Sequence, residues 1–113
     1  MSSGAVVHGQ FLAYNDQDLE RFCSFYAPDC VLATLNGPVL AEGIEAVRKR
    51  HKDLFAKFPK NKARLLSRIV VGEGVVIDHE DVERAPGGER FEVAAIYTLR
   101  DGRIARVDFA RSA

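Results

Sequence analysis

Apolar positions change their spacing twice along this chain. Over residues 5 to 14, Val7, Phe11 and Tyr14 fall at i, i+4 and i+7, with Gln10 at the edge of the same face. That spacing predicts a helix. Asn15-Asp16 suits a stop followed by a new start, because Asn tolerates the left-handed conformation and Asp caps. A short second helix is expected next, with Leu19, Phe22, Cys23, Phe25 and Tyr26 on its apolar side and Pro28-Asp29 breaking it. Val31 to Leu35 reads as a strand. Asn36-Gly37 reads as a two-residue hairpin turn with positive φ at both positions, and Val39 to Ala41 returns. The spacing lengthens again from Gly43 to Lys57, where Ile44, Val47, His51, Leu54, Phe55 and Phe58 make one stripe ahead of Pro59. From Arg64 onward the period is two. Strands are expected at 64–71, 75–84, 90–99 and 104–110, with turns at Gly72-Glu73-Gly74, Ala85 to Glu89 and Asp101-Gly102.

The order is helix, helix, short hairpin, helix, then a four-strand meander. Helices first and antiparallel strands later predict an α+β fold, with helices packed on one face of a curved antiparallel sheet. No repeat, linker or low-complexity segment interrupts residues 1–113, so one domain is expected.

The strand from Val75 carries four ionisable groups in a row, Asp78-His79-Glu80-Asp81. Alternation puts Asp78 and Glu80 on one face and His79 and Asp81 on the other. With Gly87-Gly88 as a two-residue loop, Glu80 pairs opposite Ala95 and Asp78 opposite Tyr97. The face bearing Phe91, Val93 and Tyr97 has the larger side chains and is taken as the pocket face. Asp78 and Glu80 then point inward, where burial and mutual repulsion raise a carboxyl pKa and make a general acid or base. Two alternatives stand beside this reading. In one, both carboxylates face outward and pair with Arg68 or Arg106. In the other, a one-residue bulge turns His79 and Asp81 inward instead.

Composition narrows the function. Apolar residues make up 47% and charged residues 28%, and 16 basic side chains balance 16 acidic ones. A zero formal charge disfavours nucleic acid or an anionic membrane as partner. The N-terminus has no basic stretch leading into an apolar one, and cytoplasmic localisation is expected. Cys23 and Cys30 lack metal-site spacing and read as buried free thiols. The three histidines, at 8, 51 and 79, form no metal-binding motif, and no phosphate loop, dinucleotide fingerprint or nucleophile elbow is present. No metal and no cofactor are therefore expected. The basic run Arg48-Lys49-Arg50 with Lys52 reads as the solvated side of the third helix.

Several segments, in this order and spacing, resemble the nuclear transport factor 2-like superfamily, and within it the SnoaL-like polyketide cyclase and steroid Δ-isomerase-like group. They are Tyr14-Asn15 with Asp18-Leu19, Phe25-Tyr26-Ala27-Pro28-Asp29, Gly43 with Ala46-Val47-Arg48, Val76 to Glu80, Ala95-Ile96-Tyr97, and Asp101-Gly102-Arg103-Ile104. The resemblance covers essentially the whole chain. It implies a cone-shaped α+β barrel with a deep pocket, in a dimer formed through the outer sheet face. It does not carry over the steroid isomerase constellation. The tyrosine position falls on Gln10, the general-base position on Thr34 and the protonated-Asp position near Ala95. His51 and Tyr26 fall on positions of that group's polar network, which suggests a Gln10–Tyr26–His51 cluster at the pocket floor.

The expectation is a pocket for a small hydrophobic molecule. Asp78 and Glu80 are the candidate proton-transfer groups of an isomerase, cyclase or lyase. Gln10, Tyr14, Tyr26, Thr34, His51 and Tyr97 are the candidate ligand contacts. The alternative is a binding module with no chemistry. A homodimer is expected through a sheet face carrying Glu92, Ala94, Ile96, Thr98, Ile104, Arg106 and Asp108.

Overall fold

The computed structural model describes residues 1–112. Helix α1 spans Ser3–Asp16 and opens on Ser2, whose hydroxyl accepts from the Ala5 N–H. It ends two residues later than its stripe suggests. Gln17 takes the left-handed conformation at φ 54°, and Asp18 caps helix α2 (Leu19–Ser24) by accepting from Arg21. Asn15-Asp16 is thus not the stop. Asn15 instead clamps the backbone of Ala63, accepting from its N–H at 2.8 Å and donating to its carbonyl at 2.9 Å.

Strand β1 (Tyr26–Thr34) begins earlier than expected and contains Pro28, which does not break a helix. Its ladder to the last strand lapses between Tyr26 and Val31, where the proline has no N–H to give. The turn to β2 (Val39–Glu42) is three residues long: Thr34 N–H donates to Pro38 and Gly37 N–H to Thr34. Only Asn36 there has positive φ, at 55°. Gly43, at φ 85°, leads into α3 (Ile44–Lys57), which buries Val47, His51 and Phe55 at four-residue spacing.

The remaining strands are β3 (Lys62–Val71), β4 (Val75–Glu83), β5 (Arg90–Arg100) and β6 (Arg103–Arg111). The sheet order is β2-β1-β6-β5-β4-β3. It is mixed, because β1 and β6 run parallel while every other neighbour is antiparallel. The curved sheet wraps the helices without closing, with β2 and β3 as its edges. Its inner face buries Leu32, Val76, Ala95, Ile104 and Val107 against Val7, Phe22 and Val47. No helix is long and apolar enough to cross a membrane.

Two register details correct the sequence reading. The β4–β5 loop is four residues long, with Arg84 N–H bonding Glu89, and Gly87 at φ 73° follows Pro86 in a turn closed by Gly88 N–H to Ala85. Proline and then a positive φ are the signature of a type II turn. Glu80 therefore pairs with Val93, and Asp78 with Ala95. The slip is two residues, an even number, so the facing of every side chain survives it. The second detail is a bulge between Thr98 and Leu99 in the β5–β6 register. It turns Ile104 into the core, fully buried, and removes it from the outer face.

Candidate functional site

The strand parity that carries Val76 into the core also carries Asp78 and Glu80 inward, with exposures of 0% and 8%. His79 and Asp81 face out, where His79 meets Glu92 and Asp81 meets Arg64 and Arg90. The two inward carboxylates differ in their surroundings. A bulge between Leu65 and Ser67 in β3 places Arg68 opposite Asp78. Arg68 grips both oxygens of Asp78, Nε to Oδ1 at 2.7 Å and the second nitrogen to Oδ2 at 2.9 Å. Asp78 is thereby committed to an ion pair and lies behind the cavity wall.

Glu80 has no such partner. It lines a cavity of about 420 Å³ enclosed by the three helices and the inner sheet face. Among the described residues its carboxyl group makes no hydrogen bond and no ion pair closer than 4.0 Å. Burial pushes its pKa from 4.5 up to about 8, the Asp78 charge adds to the rise, and Arg68 opposes it. At neutral pH the group is mostly a carboxylic acid.

Beside it runs a short polar chain. Tyr26 donates to Gln10 Oε1 at 3.0 Å, and Gln10 Nε2 donates to the Tyr97 oxygen at 2.9 Å. Burial holds both tyrosines well above their ordinary pKa, so both keep their protons. The Tyr26 proton is used within the chain, whereas the Tyr97 hydroxyl hydrogen has no acceptor among the described residues. His51 is not part of this network. Its Nδ1 lies 2.9 Å from the Val47 carbonyl, and its ring centroid is 4.3 Å from that of Phe22. A carbonyl only accepts, so Nδ1 carries the hydrogen. Burial lowers the His51 pKa to about 4. The ring is neutral, and among the described residues Nε2 has no hydrogen-bond partner, which leaves an acceptor at the cavity wall.

The cavity lining includes seven of the residues picked out from the sequence: Gln10, Tyr14, Tyr26, Thr34, His51, Glu80 and Tyr97. Thr34 sits exposed at the rim. The Gln10–Tyr26 half of the suggested cluster forms, with Tyr97 rather than His51 as its third member. Sequence reasoning missed Asn61 and three arginines. Asn61 is fully buried, donates to the Tyr14 oxygen at 2.8 Å and accepts from Arg84 at 2.9 Å. Nothing in Pro59-Lys60-Asn61-Lys62 marks it as more than a turn residue. Arg84 and Arg111 were legible, since they extend the inward parity of Glu80-x-Val82 and Val107-x-Phe109 by one step. Arg50 follows from no such rule, because it stands on the exposed side of α3 and reaches the rim.

The architecture is thus three helices packed on a half-wrapped mixed sheet, around an apolar cavity with a few convergent polar groups. The SnoaL-like domain family matches residues 7–107, and the chain belongs to that family. An uncharacterised cystatin-fold protein from Novosphingobium aromaticivorans is 31% identical, with a TM-score of 0.92 over 98% of this chain and 99% of that one. A putative polyketide cyclase from Sinorhizobium meliloti is 24% identical, with a TM-score of 0.80 over 94% of each chain. A putative ketosteroid isomerase from Kribbella flavida shares the fold at 15% identity, with a TM-score of 0.82 over 96% of this chain and 76% of that one. No curated protein matches the chain.

Proposed function

We propose that the chain is a cofactor-independent isomerase, cyclase or lyase that moves a proton on a small hydrophobic substrate through Glu80. One observation carries the reading: a buried carboxyl group, free of internal partners, whose pKa of about 8 lies near working pH and whose position is the wall of an apolar cavity. A base of raised pKa takes a proton from carbon more readily than an ordinary carboxylate, and a pKa near working pH keeps both its acid and base forms populated. Glu80 in its ionised form removes a proton next to a substrate carbonyl. As the acid it delivers the same proton to a second carbon or to a leaving group. The hydroxyls of Tyr97 and Tyr14, both with hydrogens uncommitted among the described residues, suit the developing oxyanion, and His51 Nε2 suits a substrate hydroxyl. The absence of the steroid isomerase constellation makes this a different arrangement of the same kind of chemistry.

The test is turnover of a panel of small cyclic ketones and unsaturated acids. Activity is expected to fall by about two orders of magnitude or more in Glu80→Gln, the range for loss of a general acid or base. Equal turnover in both proteins would refute the role of Glu80, and binding with no turnover in either would mark a module that holds its ligand without chemistry.

The outer face of the sheet supports a homodimer. Ile69, Ile77 and Ile96 lie in one register row across β3, β4 and β5, with Ile69 58% exposed. Apolar rows of this kind on a second sheet face favour a cover, and a two-fold axis would seat the row on its own copy. Arg106 is paired with Asp108 on the same strand at 3.0 Å, so these charges flank the row rather than cross it. Light scattering at micromolar concentration should give about twice 12.5 kDa for the native chain and 12.5 kDa for Ile96→Glu. A monomeric native chain would refute the dimer.

A further inference from the structure

Charge at the cavity is one-sided. Glu80 is the only acidic residue in the lining, whereas Arg50, Arg84 and Arg111 all reach it. Among the described residues the carboxylate that pairs with these cations is Glu89, 2.9 Å from Arg111 and 4.0 Å from the Arg84 Nε. Arg50 has no ion pair among the described residues. The guanidinium groups of Arg84 and Arg111 stack on one ring, Phe91, at 4.8 and 3.6 Å from its centroid. Arg84 is further held by fully buried Asn61, which is anchored in turn on Tyr14. A second hollow shares Arg50, Leu54 and Arg84 with the cavity, and adds Lys49 and Lys57 against Asp53 alone. Lys49 already neutralises Asp53 at 2.9 Å. Positive potential thus continues outward from the mouth.

The body of the cavity is apolar, with Phe11, Phe22, Leu32, Val82, Val93 and Phe109 in its wall. A cation held rigid by a buried amide and an aromatic face loses little freedom when an anion arrives, and planar guanidinium groups fit carboxylate, sulfonate or phosphate oxygens in pairs. We propose that the ligand of this cavity is an amphiphilic organic anion, its apolar body against the aromatic wall and its anionic group on Arg84, Arg111 and Arg50. The proposal rests on the cavity being the small-molecule site. It does not require Glu80 to move a proton. It places the anionic end at the mouth and the reacting carbon inside, next to Glu80.

Two dyes with the same aromatic body separate charge from shape. 8-Anilinonaphthalene-1-sulfonate carries the anion and N-phenyl-1-naphthylamine lacks it. In fluorescence titrations of the native chain at pH 6.5 and low salt, the sulfonate is expected to bind about tenfold tighter or more, as charge-assisted bonds predict. Raising the salt should shrink that preference. Arg50→Gln and Arg111→Gln should each weaken the sulfonate several-fold and leave the neutral dye unchanged. Arg84→Gln should do the same, and its thermal midpoint, recorded alongside, separates misfolding from lost recognition. Equal affinities for the two dyes, a preference untouched by the three substitutions, or no binding of either dye at millimolar concentration would each overturn the proposal. The titration of Glu80, followed by carboxyl NMR in the same proteins, reports separately on the proton-transfer reading.

Discussion

Glu80→Gln should make the protein more stable in alkali. The folded chain holds the Glu80 proton up to a pH of about 8, whereas the unfolded chain releases it near 4.5. Between those values the native state binds one more proton than the unfolded state, so rising pH favours unfolding. Glu80 is only 8% exposed, so solvent screening takes little from this figure. Linkage gives a loss of about 2 kcal/mol by pH 6 and about 4 kcal/mol by pH 8, levelling off above that. His51 acts in the opposite sense over a lower window. Its folded pKa of about 4 lies below its ordinary 6.5, so its contribution is complete above pH 6.5 and is lost as pH falls towards 4. From pH 6.5 to 8 the Glu80 contribution therefore stands clear of His51 and changes by about 1.6 kcal/mol. Glutamine has the shape of the protonated acid and no proton to lose. Urea unfolding of both proteins at half-unit steps from pH 5.5 to 8.5 is the assay. The two stability curves should diverge steadily, with the variant about 4 kcal/mol above the native chain at pH 8. Parallel curves would refute the reasoning, because they would mean that Glu80 titrates alike in both states.

Other expectations test the surroundings of the site. Asp78→Asn removes the charge that raises the Glu80 pKa and frees Arg68 to lower it. The rate–pH inflection near 8 should move down, while the broken pair costs about 3–5 kcal/mol in urea unfolding. Gln10→Leu strands the hydroxyls of Tyr26 and Tyr97 and should cost roughly double the 1–3 kcal/mol expected for Tyr26→Phe, read as paired thermal and urea midpoints. Asn15→Ala removes both bonds to Ala63 and should cost about 2 kcal/mol, with faster amide exchange where β3 begins.

The sequence by itself determined most of the elements, and the buried side of β4 and β5. Spacing of three and four residues found α1 and α3, and a period of two found β3 to β6, because helix and strand expose their sides at those intervals. Parity is also robust: a four-residue loop in place of a two-residue one shifted the pairing of Glu80 from Ala95 to Val93 without moving its face. The family was legible for the same reason, since motif order tracks element order.

What tertiary structure alone decided is how each buried polar group is partnered. Asp78 and Glu80 look equivalent in a strand reading. Only the bulge in β3 delivers Arg68 to one of them and leaves the other facing the cavity, and bulges have no reliable sequence mark. The parallel pairing of β1 with β6 joins residues about 75 positions apart and follows from long-range packing, not local pattern. Asn61, Arg50 and the third partner of the Gln10 network belong with these. Each takes its place at the cavity beside neighbours distant in the chain, and no window of local sequence contains both members of such a pair.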